Sequence, residues 1–156
     1  MNRVVIVLLA TFTLAVQLPA IAQGPLSAKP APKVRWNESI PNAMKQHRES
    51  GRPIVIYVTA DYCGFCKKME REAWSDPQVV RRIQDGFVTL KVDAEQHPEL
   101  LKRLGVEGLP TTILFNSQGE QVQALSGYTR SETLIESLDA VTSPTPPSAG
   151  SVKLLR

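Results

Sequence analysis

Two hydrophobic periods alternate between residues 34 and 141. Pro53 to Thr59 is a continuous β-branched run, and Phe87 to Asp93 is a second apolar stretch. The first run suits a central strand buried on both faces, and the second reads as the next strand. Between and around them the spacing is helical. Ile40, Ala43, Met44 and His47 fall near i, i+3, i+4 and i+7 within Asn37 to Ser50, and Gly51 is placed to end that helix. Pro41 fits only in its first turn. Lys67 to Ala73 favours helix, and Ser75-Asp76-Pro77 then restarts the chain with either Ser75 or Asp76 as cap and Val79, Val80 and Ile83 as the apolar face. Pro98 to Leu104, closed by Gly105, predicts a further helix. Thr111 to Phe115 and Gln121 to Leu125 flank the Gly-containing loop Asn116 to Glu120 and predict a hairpin. Ser131 to Val141 carries Leu134, Ile135, Leu138 and Val141 on one side, an amphipathic closing helix.

The order is helix, strand, helix, strand, helix, hairpin, helix. Helical crossovers imply parallel neighbours and the hairpin adds an antiparallel edge. The expected fold is α/β, a central mixed sheet with helices on both faces.

The flanks differ in composition. Arg3 begins a positive n-region, Val4 to Leu18 is nearly unbroken apolar sequence, and Ala20-Ile21-Ala22 supplies small residues for cleavage. Residues 1–22 are therefore expected to be a secretory signal peptide. The stretch is shorter than the roughly twenty residues of a spanning helix, and Pro19 ends it. An uncleaved anchor is the alternative, and no cysteine follows to take a lipid. Residues 23–33, rich in Pro, Ala, Gly and Ser, read as a flexible leader, residues 34–141 as one domain, and residues 142–156 as a disordered Pro/Ser-rich tail. After cleavage about 130 residues remain, enough for one hydrophobic core and too few for two. The net charge of +3 is modest and the basic residues stand among acidic ones, without a basic stripe interleaved with aromatics. No nucleic-acid partner is expected.

The only two cysteines stand as Cys63-Gly64-Phe65-Cys66, directly after the first strand run and before a helix. Orphan N–H groups and the positive end of a helix stabilise a thiolate there, and the spacing lets the second sulfur reach the first. A dithiol redox centre is the expected reading. A structural zinc site is a rival, but the other candidate ligands, His47 and His97, lack paired spacing. Those histidines are expected to be surface or helix-cap residues. A purely structural disulfide is a second rival, though so short a loop removes little chain entropy. Neither metal nor cofactor is expected. Export strengthens the redox reading, because disulfides persist outside the cytosol.

Gly108-Leu109-Pro110-Thr111 before the hairpin, together with the dithiol and the element order, resembles the thioredoxin fold over about residues 34 to 141. Ala60-Asp61-Tyr62-Cys63, Lys67, Glu70, Ser75-Asp76-Pro77-Gln78-Val79 and Gly108-Leu109-Pro110-Thr111 resemble more closely the C-terminal thioredoxin-like domain of DsbD, the bacterial transmembrane thiol:disulfide interchange protein. The resemblance implies that Cys63 is the exposed attacking thiol and Cys66 the resolving thiol. It also implies a cis Pro110 that holds Leu109 ready to pair with a partner's backbone. Two positions depart from thioredoxin: Tyr57 stands where a buried Asp is usual, and Gly64-Phe65 replaces Gly-Pro. Glu70, four residues after Cys66 and aligned with an acid of the DsbD domain, either replaces the missing Asp or is a surface carboxylate paired with Lys67. Lys67 and Lys68 either raise the potential near Cys63 or serve solubility. Gly64 and Phe65 are expected to contact partners, and Trp36 and Trp74 to pack.

These features imply a periplasmic thiol:disulfide oxidoreductase, a monomer that reduces client protein disulfides. Its electrons would come from an external thiol donor such as a membrane DsbD-like transporter. The rivals are an oxidant or isomerase on the same fold, and a client-binding assembly module with the dithiol as tether. Exported protein should begin at Gln23 by N-terminal sequencing or intact mass; retained Met1 with membrane association would overturn both cleavage and release.

Overall fold

The computed structural model describes residues 33–143, so the expected signal peptide, almost all of the leader and most of the tail lie outside the described residues. Four strands and five helices follow in the expected order. The sheet is built from β1 (Ile54–Thr59), β2 (Val88–Asp93), β3 (Thr111–Phe115) and β4 (Gln121–Ser126) in the spatial order β2-β1-β3-β4. β1 runs parallel to β2, Ile54 opposite Val88, and antiparallel to β3, Ile54 opposite Phe115. The antiparallel component is thus larger than an edge: of the hairpin strands, β3 lies inside the sheet and β4 at its border, with β2 at the opposite border.

Local chemistry sets the helix ends. α1 (Ile40–Ser50) starts three residues later than its hydrophobic spacing suggests. The cause is Asn37, which is drawn onto β2: its carbonyl accepts the Lys91 N–H at 2.8 Å and its side-chain amide donates to the Thr89 carbonyl at 3.0 Å. Ser39 then caps α1, and Gly51 closes it at φ +64°, a left-handed conformation that a Cβ would strain. α2 (Gly64–Arg71) is capped by Cys63. α3 (Pro77–Gly86) is capped by Asp76, whose carboxylate accepts the N–H groups of Gln78 and Val79. Ser75, the alternative cap, instead donates its hydroxyl to the Glu70 carbonyl at 2.7 Å. α4 (Pro98–Arg103) is short, and α5 (Ser131–Thr142) ends one residue beyond its expected limit.

Strand alternation divides the core in two. Ile54, Ile56 and Val58 face Ala43 of α1, Val88, Leu90, Val92, Ile113 and Phe115, with Leu100 and Leu101 of α4 packed on this layer. Val55 and Tyr57 face the opposite way, among Cys66 and Met69 of α2, Val79, Val80 and Ile83 of α3, and Leu134 and Leu138 of α5. All six β1 residues are buried, as a strand covered on both faces requires. Helices therefore cover both faces. His47 departs from its expected surface position: it is buried, with Nδ1 2.7 Å from the Arg52 carbonyl oxygen, and so ties the end of α1 to the start of β1.

Phe115 is fully buried in the α1/α4 layer. Phe115→Ala should cost about 3–5 kcal/mol by urea denaturation, from lost transfer energy plus the cavity. A loss below about 1 kcal/mol would mean that this layer collapses to fill the space.

Candidate active site

The end of β1 delivers the dithiol. After Thr59 the chain turns through Ala60, Asp61 and Tyr62, and the Cys63 N–H closes the turn on the Ala60 carbonyl at 3.1 Å. α2 begins at Gly64, so Cys63 occupies its N-cap, and its Sγ accepts the Cys66 N–H at 3.1 Å. This places the sulfur among the unpaired N–H groups of a helix start, where negative charge is stabilised. Cys63 and Cys66 are joined as a disulfide, with Cα atoms 5.2 Å apart. Cys63 is 8% exposed and Cys66 1%. The residue implied to be the exposed thiol is thus mostly covered in the disulfide form. It remains the more accessible of the two.

Behind the pair the surroundings are aromatic. The Tyr57 hydroxyl donates to the Cys66 carbonyl at 3.1 Å, fixing the first turn of α2 to the central strand. Trp36 and Trp74 pack on Tyr57 with ring centroids 5.6 and 5.2 Å away, and on each other edge-to-face at 5.0 Å. Both tryptophans therefore pack, as expected. Burial pushes the Tyr57 hydroxyl up to about 12; Thr59 partly opposes the shift and the nearby Glu70 carboxylate adds to it. The position that carries Asp in thioredoxins is neutral in this chain over the physiological range.

Charge sits at the side. Glu70 is half-buried and its Oε1 lies 2.8 Å from Lys91 Nζ, an ion pair joining α2 to β2. The expected partner, Lys67, is not the one chosen; Lys91 stands opposite Tyr57 in the β1–β2 register and reaches Glu70 from the sheet. The pair lines a polar cavity of about 260 Å³ with Asp61, Lys67, Asp93 and His97. Lys68 is turned aside, with Nζ 4.7 Å from the centre of the Tyr128 ring. His97 occupies the N-cap position of α4, though its side chain makes no capping bond.

On the other side lies the loop before β3. The Leu109-Pro110 peptide is cis. The Thr111 hydroxyl donates to the Gly108 carbonyl at 2.7 Å, and the Gly127 N–H donates to the Pro110 carbonyl at 2.7 Å, so the loop is held from both ends. Leu109 itself makes no backbone hydrogen bond among the described residues. Tyr62 and Leu109 share a groove of about 370 Å³ with Ala94, Pro98, Leu101 and Val106. Tyr62 and Phe65 are 71% and 65% exposed, the large hydrophobic side chains that the described surface leaves in water.

Cys63, Gly64, Phe65 and Cys66 are contiguous at the start of α2, Leu109 packs against the core cluster that holds both cysteines and shares a groove with Tyr62, and Pro110 follows it through the cis peptide. Glu70 stands one helical turn beyond Cys66, on the cavity side. Sequence reasoning passed over Tyr62 and Lys91. An aromatic directly before the first cysteine is a usable signal for the former, whereas Lys91 needs the strand register. Among the described residues no group of three or more His, Cys, Asp or Glu side chains is arranged to hold a metal.

Residues 40–142 match the family described as Thioredoxin-like domain. The chain belongs to the thioredoxin-like domain family. This thioredoxin-like domain is 32% identical over 110 residues to the thiol:disulfide interchange protein DsbD of Ralstonia nicotianae; the match covers 68% of this chain but only 18% of that protein. A thioredoxin from Thermus thermophilus superimposes with a TM-score of 0.64 at 27% identity, covering 70% of this chain and 87% of that one. The oxidised DsbD C-terminal domain of Neisseria meningitidis shares the fold, with a TM-score of 0.57 at 20% identity, covering 69% and 99% of the two chains. No helix among the described residues of the thioredoxin-like domain is long and apolar enough to cross a membrane.

Because burial raises the Tyr57 pKa, the folded state favours the neutral phenol. Its contribution to stability is complete below pH 10 and is lost as pH rises towards about 12. Ultraviolet difference titration should show this tyrosine ionising last or only on unfolding. Tyr57→Phe should remove that alkaline loss and cost about 1 kcal/mol at neutral pH through the missing bond to the Cys66 carbonyl. A Tyr57 titrating near pH 10 would contradict the assignment.

Proposed function

We propose that this protein is an exported thiol:disulfide oxidoreductase that reduces disulfides in client proteins. The observation that carries the reading is a Cys63–Cys66 disulfide at the start of α2, with Cys63 the less buried of the two residues. In the reduced protein the Cys63 thiolate attacks one sulfur of a client disulfide, forming a mixed disulfide and expelling the other client sulfur as thiolate. Cys66, deprotonated, then attacks the Cys63 sulfur. The client's second thiolate leaves, the protein is left as the disulfide, and two electrons have passed to the client. An external thiol donor, such as a membrane transporter of the DsbD type, returns the electrons. The reductive direction and the periplasmic location rest on the similarity to DsbD and on the N-terminal pattern. The domain is proposed to act as a monomer.

Glu70 is the proposed proton acceptor for Cys66. It lies one turn along α2, at the edge of a cavity that admits water, and Tyr57 offers no ionised group in its place. Lys91 orients its carboxylate. Phe65, Gly64, Leu109 and Pro110 are the proposed partner contacts, since the aromatic ring is exposed and the Leu109 backbone is unpaired among the described residues.

Cys66→Ser should accumulate mixed disulfides through Cys63, and Cys63→Ser should trap none; trapping through Cys66 would reverse the roles. Glu70→Gln should slow resolution of the mixed disulfide about 10²-fold or more while sparing the first attack, read as two phases by stopped flow. Unchanged resolution would return Glu70 to a purely structural pair with Lys91. Equilibration with glutathione should give a potential nearer the thioredoxin value of about −270 mV than the strong-oxidant value of about −120 mV.

A further inference from the structure

Resting on that redox reading, we propose that the groove between Tyr62 and Leu109 selects clients whose reacting cysteine lies in an extended segment carrying an apolar residue next to a Lys or Arg. Tyr62, Pro98, Leu101, Val106 and Leu109 supply the apolar part of the groove lining. The groove encloses about 370 Å³. Two carboxylates, Glu95 and Glu107, line the same groove, and no basic side chain does. Both glutamates are exposed, and neither belongs to an ion pair among the described residues.

The basic residues nearest the dithiol do not cancel this field at the groove. Lys67 opens into the separate cavity that holds Glu70, and Lys68 lies over Tyr128. Asp61, adjoining Tyr62, adds negative charge between the two depressions. An extended segment advances about 3.3 Å per residue, so a residue within two positions of the client cysteine reaches the groove while that cysteine is at Cys63. An apolar side chain there gains burial against Val106 and Leu101, and a neighbouring cation meets two uncompensated carboxylates at the rim. An acidic client residue is repelled by both, so the same pair accelerates one class of encounter and suppresses the other.

The test uses reduced full-length protein and two synthetic peptides with one internal disulfide, identical except for Val-Arg or Val-Glu beside the reacting cysteine. Rate constants for the first exchange are read by stopped flow at low ionic strength, with neutral bis(2-hydroxyethyl) disulfide as reference. The Arg peptide should react about three- to tenfold faster. The ratio should fall towards one in the double variant Glu95→Gln/Glu107→Gln and at high salt, where exposed charges are screened. The neutral disulfide should react equally with both proteins. Equal rates for the two peptides, or a preference that survives the double variant, would overturn the inference while leaving the redox reading intact. Failure to reduce even the neutral disulfide would overturn the redox reading, and the inference with it.

Discussion

Everything in this molecule hangs on β1 being buried on both faces and paired on both edges. A strand so placed can expose no charge and leave no backbone group unpaired, because each would cost more than one residue's burial returns. Ile54, Ile56 and Val58 satisfy one layer, Val55 and Tyr57 the other, while β2 and β3 take the hydrogen bonds. The site begins at the C-terminus of this strand. The chain leaves the sheet there, turns at Ala60 to Tyr62, and presents Cys63 where α2 begins. The reactive pair is thus attached to a strand buried along its whole length, and Tyr57 repeats the attachment through the Cys66 carbonyl.

The choice of tyrosine at that position has an electrostatic consequence. A buried carboxylate beneath the helix would be raised in pKa by desolvation and by any thiolate formed nearby. A buried phenol remains neutral and contributes a hydrogen bond instead. Negative charge is transferred to Glu70, half-buried at the cavity edge and balanced by Lys91. The ion pair is partly solvated, so it avoids most of the desolvation penalty that a fully buried pair meets. Residues flanking the dithiol thus line two depressions, Asp61 and Lys67 a polar cavity and Tyr62 a groove shared with Leu109, while Tyr57, Trp36 and Trp74 pack on one another.

Much of this was legible in the residues. The two apolar runs, the helical spacings, Asp76 before Pro77 and Gly51 after Ser50 are local statements whose physics depends on a few neighbours, and the elements formed where those signals stand. The Cys63/Cys66 pair was legible for the same reason, since the strand-to-helix junction that gives it meaning is written within ten residues. Where a long-range bond competes, local reading fails. Asn37 to Ser39 have helical neighbours, yet Asn37 is held by β2 and α1 starts later. His47, a polar residue expected at the surface or at a helix cap, is buried with its ring bonded to the Arg52 carbonyl.

The sequence by itself determined the order and type of the elements, the dithiol, its placement at a helix start and the neutral residue beneath it, because periodicity, capping and covalent spacing are properties of short segments. Only the tertiary structure decided that β3 enters the middle of the sheet, that Glu70 meets Lys91 rather than Lys67, and that Tyr62, Glu95, Glu107 and Leu109 line one groove. Glu70 and Lys91 stand 21 positions apart, and Tyr62 stands 33 positions before Glu95. What brings them together is strand register and helix packing, which depend on the whole core being buried at once.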